Sequence, residues 1–443
     1  MKQYPDSKKQ YKIIFLAVLF IIPLVFFYTI FIDGTFAQTA DELRDKISDK
    51  NKDIENLEKE IESYKKDLIS IGKQANTLAN AVKELELTRK KLIADITVTE
   101  DKIDVQNFHI KELSRQIVGK EVKISDNKLV IQEGIQNINE LDFSNGIELF
   151  LSKKNFFDSW RETESLREFQ SKVKDKIGEL KDIKQDLEEN KKEEEKAKRE
   201  LESLKSKLAD QKKIVEENTR QEKKLLADTK NKESNYKKIL ANKETLKKNF
   251  EDELRDYEVK LKFILDESSL PGRGVLSWPL NSVYITQKFG KTVAAKRLYA
   301  SGSHSGVDFR ASMGTPVKVV ASGTVLGTGD TDLSCPGASF GKWVFIRHEN
   351  GLSTVYAHLS LIKASAGQEV DTGDIIAYSG KTGHSTAPHL HLTVYASAGV
   401  SVQSRSSKTC GGKVFTMPVA ALNAYLDPLE YLPSYTSSMV KPD

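Results

Sequence analysis

His389-Leu390-His391-Leu392-Thr393-Val394-Tyr395 reads as one strand of a β-sheet, and that reading decides the C-terminal third of this chain. Side chains alternate across a strand, so residues two apart share a face. His389 and His391 therefore point to one side, and Leu390 and Leu392 to the other, where a core would lie. Outward from this stretch, short β-branched runs between Gly, Ser and Thr turns recur at residues 283–286, 316–320, 323–325, 342–347 and 353–356. Many short strands at such spacing predict an all-β domain, placed at 276–435 with a tail at 436–443. Ahead of it, Ser268-Ser269-Leu270-Pro271-Gly272-Arg273-Gly274 carries the Pro-Gly punctuation of a linker, bounded at 267–275. Residues 328–340, holding Cys335, and 396–414, holding Cys410, read as long loops of the kind that shape a site. These two cysteines lack the paired spacing of a structural zinc site. Outside the cytoplasm they could form one disulfide; the alternative is two independent buried thiols.

Upstream of the linker the texture is entirely different. Residues 38–266 contain no proline, few glycines and dense Lys, Glu, Asp and Leu. Leu43, Ile47, Ile54, Leu57 and Ile61 begin a series in alternating steps of three and four that runs on through Leu78 and Leu85, then from Leu92 to Ile117. A second stripe runs from Leu166 through Leu201, Leu208 and Val215 to Leu254 and Leu261. Such sustained a/d patterning predicts a long α-helical coiled coil, as an antiparallel hairpin or a kinked parallel dimer. About 95 residues in the first stretch would reach roughly 140 Å if fully helical. The arm is interrupted near 141–160, where residues 147–160 gather large apolar side chains. That cluster is either a small cap packed on the coil or a docking surface for a membrane or division partner.

At the start of the chain, Lys8, Lys9 and Lys12 precede an uncharged apolar run at 13–32, long enough to span a bilayer. The positive flank predicts export of everything after it. Residues 1–37 are thus expected to be a signal peptide, cleaved after Ala37, or an uncleaved anchor. The expected location is extracytoplasmic, in the periplasm or at the cell surface. Charged residues form 30% of the 443, yet the formal net charge is only +4. Interspersed charge of this kind suits solvated helices, and no basic run is interleaved with aromatics, which argues against a nucleic-acid partner.

Six of the seven histidines lie between His304 and His391, whereas His109 sits in the arm. His304-Ser-Gly-Val-Asp308 offers an imidazole and a carboxylate within reach of each other, and His389-Leu-His391 offers two imidazoles on one face. Convergent neutral imidazoles and carboxylates are what a zinc ion requires. His348, ahead of Glu349-Asn350-Gly351, reads as a surface residue at a hairpin turn; His384 lies in the loop leading to the strand and could line a groove. Tyr299 could donate its hydroxyl to an oxyanion or simply pack.

Together with Tyr356-Ala-His358-Leu-Ser360 between them, these motifs resemble the lysostaphin/LytM-type zinc endopeptidases, in which the three occur in this order. Ile285-Thr-Gln-Lys-Phe-Gly290 and Ser379-Gly-Lys-Thr-Gly383 ahead of Ala387-Pro-His-Leu-His391 extend the resemblance over most of the C-terminal third. It implies an antiparallel β-sheet domain holding one Zn2+ per chain through His304, Asp308 and His391, with a fourth coordination position open. His358 and His389 would then act as base and transition-state stabiliser. The implied substrate is a peptide of peptidoglycan, in stems or cross-bridges. The arm with its inner cluster resembles murein hydrolase regulators of the EnvC and PcsB type, which implies coupling to a membrane division complex. EnvC-type members have lost zinc ligands and activate an amidase, which is the alternative reading; here the full set is present. An arm of this length with no chemistry of its own is expected to restrain the hydrolase.

Overall fold

The structure is a computed structural model that describes residues 40–72, 77–143, 156–261, 263–266, 268, 270–299 and 301–441. The apolar run at 13–32 and residues 147–155 of the arm's cluster lie outside these, and no described helix is long and apolar enough to cross a membrane. Two units are formed, Met1–Asn51 with Asp104–Glu200, and Lys52–Ile103 with Leu201–Asp443.

Four long helices make the arm: α1 (Ala40–Gly72), α2 (Leu78–Phe143), α3 (Phe156–Thr229) and α4 (Glu233–Lys260). The expected stripe is the buried face, with Leu43, Ile54, Ile61, Leu92, Leu113, Ile117 and Leu201 each no more than 9% exposed. In the first unit Arg44 pairs with Glu112 and Lys50 with Asp104, while Gln106 bonds Glu200 and Lys191 pairs with Glu121. Numbers rise on one helix as they fall on its neighbour, so the packing is antiparallel within one chain. In the second unit Arg89–Glu222 and Lys212–Glu100 follow the same sense. Exposed pairs of this kind add at most about 1 kcal/mol each, and the apolar seam holds the helices.

Two long helical stretches were expected, and each is broken. The first stops at Gly72, and α2 starts afresh after Thr77, whose hydroxyl accepts the Asn80 N–H at 3.3 Å as a cap. The second stops where Lys230 and Asn231 adopt φ of 47° and 56°, left-handed values that a right-handed helix cannot continue. Heptad spacing reports which positions are buried, and a turn of a few residues leaves that spacing nearly in step.

The named strands of the C-terminal region all pair antiparallel. Its main sheet contains β1 (Ile285–Gln287), β2 (Val307–Arg310), β4 (Gly323–Asp330), β5 (Lys342–His348), β6 (Leu352–Ala357), β8 (Glu369–Val370) and β10 (His389–Ala396), in the order β1-β2-β10-β6-β5-β4-β8, with β13 (Tyr425–Leu426) also on β10. A small sheet orders β3 (Pro316–Lys318), β9 (Ile375–Ser379) and β7 (Leu359–Ile362) as β3-β9-β7. Strand alternation splits the main sheet into two faces. Val307, Phe309, Val344, Ile346, Leu390 and Leu392 share one core with Val317 and Ile376 of the small sheet. Trp343, Phe345, Val355 and Tyr395 share the other with Phe415, Met417 and Val419, and with Phe250 of α4.

The stretch 396–414 is a structured hairpin rather than a loop: β11 (Val400–Ser406) pairs with β12 (Val414–Ala420) along its whole length. Cys410 at its turn is bonded to Cys335, which ties the two insertions together. His348 is also corrected. It is buried, with its ring nitrogens on the Ser322 carbonyl at 3.1 Å and the Thr354 hydroxyl at 2.9 Å, because its position on β5 turns it inward. Burial lowers its pKa, which leaves it a neutral structural residue.

Candidate metal centre

Sheet register assembles the site. His391 on β10 lies directly opposite Asp308 on β2, both on the face away from the first core. His304 precedes Asp308 by four residues and is held by reciprocal backbone hydrogen bonds with Gly290. The resulting atoms converge: His391 Nδ1 lies 2.9 Å from Asp308 Oδ1, His304 Nε2 lies 3.1 Å from His391 Nδ1, and His304 Nε2 lies 3.3 Å from Asp308 Oδ1. A tetrahedral zinc ion with bonds of about 2.0–2.1 Å sets its ligand atoms about 3.3 Å apart. The three edges, 2.9 to 3.3 Å, lie at or up to about 0.4 Å below that figure, so the donor set suits zinc in chemistry and is close to it in size. Among the described residues this is the one grouping of three such side chains able to hold a metal.

The outer atoms are fixed as well. The His304 Nδ1–H donates to the Lys288 carbonyl at 3.0 Å, which leaves Nε2 as a lone pair facing the site. His391 presents Nδ1 to the centre and bonds the Thr393 hydroxyl through Nε2 at 2.8 Å. Charge follows geometry. Burial opposes ionisation of Asp308, yet the His304 and His389 imidazoles outweigh it and hold the carboxyl well below the usual range. Burial pulls His304 down, but Asp308 beside it pushes the net pKa up.

His358 and His389 stand beside the ligands, with ring centroids 4.6 Å apart, and His389 Nε2 is 3.6 Å from Asp308 Oδ1. His358 takes φ of 59°, an uncommon value for a residue with a Cβ, as the chain turns from β6 to β7. Such conformations persist only where the surroundings hold them, and they gather at functional sites. Here its N–H bonds the Phe340 carbonyl and its Nδ1–H donates to the Thr382 carbonyl at 2.8 Å. His389 Nδ1 is bound likewise to the Ala387 carbonyl at 2.8 Å. Both rings therefore leave Nε2 to exchange a proton. Burial, with His389 and His391 nearby, pushes the His358 pKa far down, so it stands neutral. When bound, zinc supplies a Lewis acid that polarises an amide carbonyl and acidifies water.

All five residues expected at the site are thus brought together. Tyr299 stacks on His304 with centroids 5.2 Å apart and planes 15° off parallel, a packing role; burial and the Asp308 charge keep its hydroxyl protonated. His384 sits at the rim, its pKa pulled down to about 3 by burial and by Lys247. Sequence reasoning missed Thr382, Thr393 and the Lys288 carbonyl, since backbone and hydroxyl partners leave no motif. It also missed α4. The Lys247 ammonium lies 4.7 Å from the centre of the Tyr299 ring, on the side chain that stacks on His304. Phe250 is 1% exposed and meets Phe415 edge-on at 5.0 Å, in the cluster that includes Phe340.

Residues 302–404 match the family model for Peptidase family M23. An uncharacterized metalloprotease of Haemophilus influenzae is 47% identical over 88 residues, covering 20% of this chain and 18% of its own length. The peptidoglycan DD-endopeptidase ShyA of Vibrio cholerae is 41% identical over 88 residues, covering 20% of this chain and 19% of that protein. Lysostaphin of Staphylococcus simulans is 39% identical over 92 residues, covering 20% and 18%. The chain thus spans about a fifth of the length of these curated relatives. With its long helices followed by an antiparallel β-sheet that gathers His304, Asp308 and His391, the chain carries in its C-terminal region a peptidase M23 domain of the lysostaphin/LytM type.

Proposed function

We propose that this chain is a cell-wall zinc metalloendopeptidase that hydrolyses peptide bonds in peptidoglycan stems or cross-bridges, and that α4 holds it closed until the arm is moved. The observation that carries the reading is the complete constellation. Three donor atoms lie close to zinc-ligand spacing, and two further imidazoles stand beside them, each tethered through Nδ1. A module that only switches on an amidase has no use for that set. Zinc is the metal this donor set suits, with His304, Asp308 and His391 as ligands and His358 and His389 as the proton-handling pair. Relatives named as a metalloprotease and as a peptidoglycan DD-endopeptidase support the substrate class.

Closure is supported by the position of α4. Lys247 sits on Tyr299, Phe250 fills an apolar hole beside Phe340, and the three ligands are at most 7% exposed. A partner in a membrane division complex, pulling on the arm, would supply the bias toward an open state. The apolar run at 13–32 and the Cys335–Cys410 bond support an extracytoplasmic location. The test is metal analysis of the full chain together with digestion of purified wall and mass-mapping of the fragments. One zinc per chain and new peptide termini are expected, both lost in Asp308→Ala. Amidase activation by a chain that releases no fragments of its own would favour the activator instead.

A further inference from the structure

Among the contacts that α4 makes with the β-domain, that of Glu253 is built from carboxylate chemistry. Glu253 Oε2 accepts the Ser407 hydroxyl at 2.8 Å and the Thr409 N–H at 3.1 Å, and Oε1 accepts the Lys408 N–H at 2.8 Å. The Tyr257 hydroxyl reaches Oε1 from within α4 at 3.2 Å. Successive backbone N–H groups converging with a hydroxyl form a concave anion receptor. The receptor is held rigidly. Ser407 is fully buried, its hydroxyl oxygen accepts the Cys410 N–H, the Gly412 N–H closes the turn on the Ser407 carbonyl, and Cys410 is bonded to Cys335. Burial works against the Glu253 charge, but these donors prevail and lower its pKa, so the turn holds an ionised carboxylate.

We propose that the Ser407-Lys408-Thr409 turn is a carboxylate-binding subsite of the substrate groove. Glu253 fills it while α4 is docked, and a carboxylate of the wall peptide fills it once α4 leaves. The proposal rests on the endopeptidase reading above and adds a determinant of specificity to it. Its geometry comes from the helix. Lys247, beside Tyr299 and His304, is six residues before Glu253, or about 9 Å along the axis at 1.5 Å per residue. Phe250 stands midway in its apolar hole. An extended peptide advances about 3.4 Å per residue. The turn thus lies about 9 Å along α4 from the Lys247–Tyr299 contact beside the ligands, a span that two or three residues of extended peptide would cover. Wall stem peptides carry free carboxylates, and α4 thus presents in one helix the groups such a peptide would present in a strand.

The experiment uses the zinc-loaded full chain, with Glu253→Gln to free the turn and Glu253→Gln/Ser407→Ala to damage it. Probes are a synthetic wall stem peptide with free carboxylates and the same peptide with its carboxylates amidated. Binding is measured by calorimetry and cleavage by mass spectrometry, while hydrogen exchange of α4 reports release. In Glu253→Gln the acid peptide should bind about tenfold or more tighter than the amide, as charge-assisted hydrogen bonds require. The added Ser407→Ala should erase most of that preference. Equal affinity for acid and amide while α4 exchanges faster would overturn the proposal and leave the turn as a latch for α4. Preferential binding of the acid with no cleavage of peptide or wall would uphold the subsite and sink the endopeptidase reading, so the two failures are told apart.

Discussion

Phe250→Ala is the perturbation that bears most directly on closure. The ring is 1% exposed and packs edge-on against Phe415 among Cys335, Phe340 and Met417. Truncating a buried Phe to Ala costs about 3–5 kcal/mol. Because this ring is contributed by α4 and its socket by the β-domain, most of that loss falls on the docked state. At 1.4 kcal/mol per tenfold, a loss of about 4 kcal/mol lowers the docked-to-open ratio by roughly a thousandfold. Hydrolysis of purified wall by the full chain, normalised to bound zinc, should then rise at least about tenfold and level off once the open form dominates. Hydrogen exchange read in parallel should quicken in α4 while β10 keeps its protection. Faster exchange in α4 with unchanged hydrolysis per zinc would refute the reasoning, because the helix would have left without opening anything.

Other consequences are equally direct. His358→Ala should keep its zinc and lose activity by about 10²–10⁴, since a proton acceptor and not a ligand is removed; metal analysis beside the rate assay checks the division of labour. Docking of α4 should depend on pH through two carboxylates. Burial raises Glu258 from 4.5 to about 7, against the Tyr425 hydroxyl and Arg255, so its ionisation disfavours docking above pH 7 by about 3 kcal/mol, and that penalty fades as pH falls toward 4.5. Glu253 acts in the opposite sense: its lowered pKa supports docking above 4.5, and the support is lost in stronger acid. Limited proteolysis of α4 should thus be slowest near pH 5 and faster at pH 8, with Glu258→Gln removing the difference. Replacing both cysteines by Ser releases a loop closed over a separation of 75 residues, worth about 4–5 kcal/mol in the chain-entropy picture. Denaturant unfolding of the β-domain should show that loss, and an unchanged midpoint would place the bond's value elsewhere.

The sequence by itself determined everything that depends on local periodicity. Alternation in His389-Leu-His391 placed both imidazoles on one face, and pairing with β2 then set His391 against Asp308 as that alternation requires. The heptad stripe named the buried positions of the arm, from Leu43 to Leu201, because burial follows from which side of a helix a residue occupies. The same stripe was silent on two further breaks in the arm. Gly72 and Lys230-Asn231 end helices through a few backbone angles, and apolar spacing does not encode them. Only the tertiary structure decided that α4 lies on the face that carries the ligands. Lys247, Phe250 and Glu253 look like ordinary coil residues until their partners Tyr299, Phe415 and Ser407 are in place, 52 to 165 residues away by their numbers. The ligand triangle is legible as two motifs, whereas the placement of α4 is a contact between distant segments. Such a contact exists because burial rewards any apolar surface that fits, whatever its place in the chain.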